Sequence, residues 1–363
     1  KIFKNFLYLA WKHLQLPEPT EIQYQMADYL QYGPKRLCIQ AFRGAGKSWI
    51  TSAFACWNWL MDPQKNILVI SASKTRADDF STFTQRLINE IPILAHLQPN
   101  DDQRSSKVSF DVGPARASHA PSCKSMGITG QLTGSRADLI IADDVESANN
   151  SQTQLMRDRL SETVKEFDSI IKPEIGRIVF LGTPQTELSI YNELEERGYK
   201  TQIWPARFPD SKAIVSYGHK LAKQILEQNK KYKPGQPLDP KRFDEVDLME
   251  REASYGRSGF SLQFMLDTTL SDTNKYPLKL NDLIIMSGCS TWKEAPGKVQ
   301  WANSIDQIKA LDSELPNVGL KGDYFVAPMH TSQHYFPFEG SVMSIDPAGR
   351  GADRTAYAVI KML

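Results

Sequence analysis

The sequence predicts an α/β fold: a mostly parallel sheet with helices on both faces, followed by a small helical segment and a terminal β-hairpin. Two observations carry that reading. Through the first half, strand-length runs that are apolar at every position alternate with helix-length stretches, and continuous hydrophobicity marks strands covered on both sides. One of those runs also ends in a glycine-rich turn that opens a helix, the strand–turn–helix unit from which doubly wound sheets are built.

The elements follow in order. Residues 37–40 form a short apolar strand entering the glycine turn, and 48–61 continue as a helix. Residues 66–71 (NILVIS) read as a strand and 77–90 as a helix. Residues 138–142 (DLIIA) and 177–181 (RIVFL) are further strands with a helix at 155–171 between them, while 107–110 and 125–132 add two strands bounded by glycine turns. After about Trp204 the texture changes. Residues 208–240 are rich in Lys, Gln and Pro; 212–230 has a helical pattern containing Gly218, and the Lys-Pro-Gly-Gln-Pro run at 233–237 breaks it. Residues 243–270 read as helices, 271–339 as irregular chain, and 341–345 and 355–362 as two strands joined by a glycine-rich turn. A lone hairpin cannot bury both faces, so this one is expected to belong to a further domain.

Composition bounds the function. A chain of 363 residues corresponds to about two domains. With 41% hydrophobic and 23% charged residues it holds enough apolar material for a core, which excludes wholesale disorder. Lys plus Arg is 43 against 42 Asp plus Glu, a net charge of +1; that excludes a globally basic coat but not a local basic face. No apolar stretch approaches a membrane span. Cys38, Cys56, Cys123 and Cys289 are scattered without a CxxC pair, which argues for buried reduced thiols rather than a zinc site. His330 and His334 have helical spacing, but Pro328 and Pro337 argue against a helix there, so no metal site is expected. The chain begins Lys-Ile-Phe-Lys with neither Met nor a signal-peptide pattern, and both ends are read as trimmed.

The strongest motif is Ala41-Phe42-Arg43-Gly44-Ala45-Gly46-Lys47-Ser48, a phosphate-binding P-loop (Walker A) with Ala41 where the first glycine usually stands. Gly44, Ala45 and Gly46 let successive N–H groups face an anion, and the following helix N-terminus adds its dipole. Lys47 reaches phosphate oxygens as a point charge, and the Ser48 hydroxyl suits Mg²⁺. Arg43 is either an internal arginine finger acting on the transferring phosphoryl group or a solvent-facing side chain. The competing account, a glycine turn with an incidental lysine, lacks the strand–turn–helix context.

Leu139-Ile140-Ile141-Ala142-Asp143-Asp144-Val145-Glu146 is an apolar strand ending in carboxylates, the place where doubly wound sheets put chemistry. Asp143 fits the Walker B role toward Mg²⁺, and Asp144 or Glu146 is the candidate to activate water. If strand geometry persists, Asp144 and Glu146 share one side and Asp143 faces the other. Gln23 carries a donor–acceptor pair suited to an adenine edge, although Thr20 beside it also reads as a helix N-cap. Thr183, in Gly182-Thr183-Pro184-Gln185, is either a sensor of the γ-phosphate or part of an ordinary strand-to-helix turn.

These motifs together resemble the large terminase subunit of tailed phages, of the short-tailed podophage type. Residues 42–48 resemble its arginine-containing Walker A, Gln23 its adenine motif, 138–146 its Walker B with the adjoining acid, and 182–184 its coupling motif; Ser344-Ile345-Asp346-Pro347-Ala348-Gly349 resembles the first strand of its RNase H-like nuclease. The resemblance implies a RecA/ASCE-like P-loop NTPase fold. It implies a DNA-packaging ATPase using ATP and Mg²⁺ to drive double-stranded DNA into a procapsid, with a nuclease that cuts the concatemer. It further implies a homo-oligomeric ring on the portal protein, a small terminase partner, no membrane, and a place in the host cytoplasm and transiently at the portal vertex. The expected organisation is an ATPase core at 1–204, a helical lid at 205–270, an irregular linker at 271–340 and the first nuclease hairpin at 341–363. Asp346 is the implied nuclease metal ligand; this chain is expected to lack nuclease activity because the other ligands follow the first hairpin. Where the family usually carries Asp-Glu, this chain has Asp143-Asp144 with Glu146 two residues on, which leaves open which acid activates water. Arg136 is a candidate to act in trans on a neighbour's nucleotide. The alternatives are a superfamily-2-like helicase, which needs a second RecA-like domain, and a non-catalytic P-loop scaffold.

Overall fold

The computed structural model describes residues 2–132, 134–185, 188–228, 231–268, 285, 293–300, 325–346 and 355–363. Cys289, the Pro347-Ala348-Gly349 part of the nuclease-like motif and most of the 271–340 stretch lie outside them. The chain divides into two compact units, Lys1–Asp272 and Thr273–Leu363. The 205–270 segment, expected as a lid, falls in the same unit as the sheet.

The first unit opens with α1 (Phe3–His13), not among the expected elements, and α2 (Glu21–Tyr32), of which only the N-cap at Thr20 was expected. Phe3, Phe6, Leu7, Ala10 and Trp11 recur at helical spacing and are buried, an apolar stripe facing the core. Then come β1 (Arg36–Ala41), α3 (Lys47–Met61), β2 (Ile67–Ser71), α4 (Lys74–Glu90), β3 (Ser109–Phe110), β4 (Cys123–Gly127) and β5 (Leu139–Asp143). After β5 follow α5 (Ala148–Ser151), α6 (Gln154–Lys165), α7 (Phe167–Ile170), β6 (Arg177–Gly182), α8 (Ile190–Glu193) and β7 (Lys200–Trp204). The helical segment is α9 (Ser211–Tyr217), α10 (Lys223–Gln228) and α11 (Glu245–Gln263).

The seven-stranded sheet has the order β3-β4-β2-β5-β6-β1-β7. β3 pairs antiparallel with β4; every other pairing is parallel. Successive residues of each inner strand feed opposite cores, as the pleat requires. Ile39, Val69, Ile141 and Val179 pack on the face covered by α1–α4, whereas Cys38, Leu68, Ile140 and Ile178 pack on the face covered by α6–α8. That two-sided burial is the reason these strands are apolar throughout. β7 was not expected: it is an edge strand in which Lys200 is exposed and Gln202 half-buried, so its sequence lacks the continuous apolar signature.

Several boundaries differ from expectation for local reasons. The strand expected at 125–132 ends at Gly127, where a Cβ would sit 2.9 Å from the Lys74 nitrogen. The helix expected at 155–171 breaks between α6 and α7. Gly218, at φ +56°, terminates α9, and Gly256, at φ 69° and ψ 166°, kinks α11.

In the second unit β8 (Glu294–Pro296), β9 (Val299–Gln300), β10 (His330–Thr331) and β11 (Tyr335–Pro337) form two short antiparallel pairs. β12 (Gly340–Asp346) and β13 (Ala356–Met362) form the expected hairpin, paired from Gly340–Met362 to Asp346–Ala356. Its side chains are exposed on both faces.

Candidate nucleotide site

Sheet order builds the site. β1 ends in the P-loop and β5 ends in the acids, with β6 inserted between them. Parallel neighbours lie about 4.8 Å apart, so the two strand ends stand roughly 10 Å from each other, the space of a triphosphate and a cation. A cavity of about 620 Å³ occupies it, lined by Arg43, Gly44, Gly46, Lys47, Ser48, Asp144, Glu146 and Thr183 among others.

The loop needs its glycines where they are. Gly44 and Gly46 both have φ +91°, a left-handed conformation that L side chains resist. A Cβ at Gly44 would lie 2.7 Å from Phe243 Cζ, and one at Gly46 would lie 2.9 Å from Gln23 Nε2. Lys47, buried at the start of α3, donates to the Ala41 carbonyl at 2.7 Å and to Thr183 Oγ1 at 3.3 Å. The Arg43 N–H donates to the Gln263 carbonyl, while its exposed side chain lines the cavity. Gln23 is 2% exposed. Its Oε1 accepts the Thr20 N–H and its Nε2 donates to the Ala45 carbonyl, both at 3.1 Å. It therefore performs the reach-back half of a capping box while its other end holds the P-loop.

The acids behave differently from one another. Asp143 is buried, and its Oδ1 has no hydrogen-bond partner. Burial, compounded by the neighbouring Asp144 charge, pushes its carboxyl up, against the opposing influence of Ser48, Lys47 and Arg76. A buried, unpaired carboxylate oxygen beside a hydroxyl is a donor set that fits Mg²⁺ completed by phosphate oxygens and water. Asp144 does not continue the strand. Its backbone turns left-handed at φ 45°, held by its N–H on the Leu181 carbonyl and by the Ala72 N–H on its own carbonyl. The simple alternation expected for 143–146 therefore fails, and the half-buried Asp144 side chain lines the cavity. Glu146, 3% exposed, accepts the Gln185 N–H at 2.9 Å on Oε1, and the Ser189 hydroxyl and Ile190 N–H on Oε2, both at 2.8 Å. Burial pushes its pKa up while those three donors oppose the shift. Gln185 also donates to the Thr183 carbonyl, so a bonded path runs from Lys47 through Thr183 and Gln185 to Glu146.

Arg136 sits before β5, at the end of that strand opposite Asp143, and donates to the Ser135 and Ser169 carbonyls. Asp346 ends β12 and is exposed. Among the described residues no group of three or more His, Cys, Asp or Glu side chains is arranged to hold a metal. The sequence reading missed Arg76, which lines the cavity from the start of α4, and Arg242, which lines it from the helical segment. Both carry only an ordinary surface-arginine signature in one dimension.

Residues 38–169 match the family model described as the terminase large subunit, T4likevirus-type, N-terminal. The chain is 49% identical to the terminase large subunit of Enterobacteria phage T3 over 365 residues, which is 99% of this chain and 61% of that protein. It thus spans about three-fifths of that relative's length. Among solved structures, the Thermus phage P74-26 large terminase ATPase domain aligns at 13% identity and a TM-score of 0.39, over 71% of this chain and 97% of that one. S. cerevisiae dbp5, solved with nup159, gle1, ip6 and adp, aligns at 12% identity and a TM-score of 0.38, over 57% of this chain and 53% of that one. At that distance neither structural likeness carries an argument. The identity to the phage T3 protein does: about half of the residues are shared along almost the whole chain, which is therefore similar to the large terminase subunit of that phage.

Proposed function

We propose that this chain contains the ATP-hydrolysing engine of a viral DNA-packaging motor. The observation that carries the proposal is the cavity lined on one side by a glycine-shaped loop with a buried lysine and on the other by the Asp144 carboxylate, with the orphaned oxygen of Asp143 next to it in the chain. Loop amides and Lys47 take up the phosphate charge, and Arg43 adds charge where the transferring phosphoryl group would lie. Ser48 and Asp143 are the residues that would hold Mg²⁺, and the ion would there supply positive charge against the phosphates. Asp144 takes the proton of the attacking water. Glu146, with both oxygens engaged, is assigned as the tether that joins the acid loop to the segment after Thr183. Thr183, bonded to Lys47, reports loss of the γ-phosphate along that tether, and Gln23 reads the base.

The substrate moved is double-stranded DNA, driven into a procapsid by a homo-oligomeric ring docked on the portal protein and supplied by a small terminase subunit, in the host cytoplasm and at the portal vertex. Arg136 stands too far along β5 to serve its own nucleotide, so any role on ATP is on a neighbour's. In the complete protein a nuclease carrying Asp346 cuts the concatemer; two-metal chemistry needs several carboxylates, and the 363-residue chain is expected not to nick plasmid with Mg²⁺ or Mn²⁺. The helicase alternative is not favoured, since among the described residues beyond Trp204 no second parallel sheet occurs. Steady-state ATP hydrolysis with and without duplex DNA tests the proposal. Turnover stimulated by DNA and lowered roughly 10²–10³-fold in Lys47→Ala is expected; unchanged turnover in that variant would point to a scaffold instead.

A further inference from the structure

One turn of the helical segment grips the nucleotide loop from outside. Arg242 and Phe243 both donate their N–H groups to the Asp239 carbonyl, which makes 239–243 a single compact turn. The Asp239 carboxylate accepts the Thr20 hydroxyl at 2.9 Å, at the start of α2. Phe243 meets Phe42 edge-to-face at 5.1 Å and closes over Gly44. Arg242 itself donates from Nη1 to the Ala45 carbonyl at 2.9 Å and from Nη2 to the Gly44 carbonyl at 3.0 Å. The Ala45 carbonyl thus has two donors, Arg242 Nη1 and Gln23 Nε2, and both side chains line the cavity.

An acceptor with two donors can release one of them without being left bare. Resting on the ATP reading above, we infer that Arg242 is a positioning residue for base recognition: it keeps the Ala45 carbonyl satisfied so that Gln23 Nε2 can leave it for the edge of a purine base. Without Arg242, Gln23 faces a choice. Engaging the base strands a P-loop carbonyl, whereas holding that carbonyl forgoes the base. A ligand that carries phosphates but no base makes no such demand, because Gln23 stays where it is.

The test compares Mg²⁺–ATP with Mg²⁺–tripolyphosphate, each measured by displacement of a fluorescent ATP analogue from the wild-type chain and from Arg242→Ala and Arg242→Lys. The expected result for Arg242→Ala is an ATP affinity lower by about tenfold or more with tripolyphosphate affinity within about twofold of wild type, and partial recovery of ATP affinity in Arg242→Lys, which keeps one donor. Equal loss of both ligands would overturn the inference, since Arg242 would then only shape the loop. No loss of either would overturn it as well. Failure of the wild-type chain to bind ATP is a separate outcome, and sinks the ATPase proposal itself.

Discussion

Asp144 and Glu146, two positions apart in the sequence, differ in what their carboxylates meet. Glu146 receives three donors in a buried setting, so Glu146→Ala should strand them and cost about 3 kcal/mol. A thermal melt would then show Tm lowered by roughly 6–12 °C. Asp144 is free to act on a ligand in the cavity. Asn adopts left-handed backbone as readily as Asp, so Asp144→Asn removes the charge and spares the turn. That variant should keep its Tm and its ATP affinity while kcat falls roughly 10²–10⁴-fold; a variant of Glu146 matching it in kcat without loss of Tm would reverse the two assignments. The cysteines illustrate the same dependence on surroundings. Burial pushes the Cys38 and Cys123 thiols up to about 12, so at neutral pH they stay protonated and should resist alkylation in the native chain, as peptide mapping after brief iodoacetamide treatment would show.

At the level of elements, the junction of β6 with the acid loop depends on a missing side chain. A Cβ at Gly182 would lie 2.0 Å from Tyr191 Cζ. The Tyr191 hydroxyl accepts the Glu146 N–H and donates to the Leu181 carbonyl. Gly182→Ala should therefore displace Tyr191, destabilise by about 3 kcal/mol or more, and uncouple Thr183 from Glu146. Partial recovery of Tm in the double variant Gly182→Ala with Tyr191→Leu would identify steric conflict as the cause. Gly256 differs: no atom lies within 4 Å of its Cβ position, but its φ of 69° with ψ of 166° is open essentially to glycine alone. Gly256→Ala should cost about 1–3 kcal/mol through backbone strain, readable as a shifted denaturant midpoint with an unchanged m-value.

For the molecule as a whole, a net charge of +1 leaves only a local face on which the proposed motor would hold DNA. A motor that moves any sequence grips phosphates, so duplex affinity should fall roughly 10³-fold between about 50 and about 200 mM salt; flat salt dependence in a filter-binding titration would argue against phosphate contact. The strands at 37–40, 66–71, 138–142 and 177–181 and the P-loop were legible in the sequence, since burial on both faces demands unbroken apolar runs and an anion cup demands Gly44 and Gly46. The edge strand β7 was not, because one-sided burial leaves a mixed pattern; α1 was passed over although its periodicity is present, and of α2 only the Thr20 cap was read. What the amino-acid order determined by itself is the set of local shapes: which segments extend, where backbone must turn left-handed, and which side chains can meet phosphate. What only the tertiary structure decided is the company each residue keeps. That β6 separates loop from acids, that Glu146 is bound while Asp144 is open, and that Arg242 reaches the P-loop from nearly 200 residues away are consequences of packing, and packing brings together groups whose pairing leaves no trace in sequence spacing.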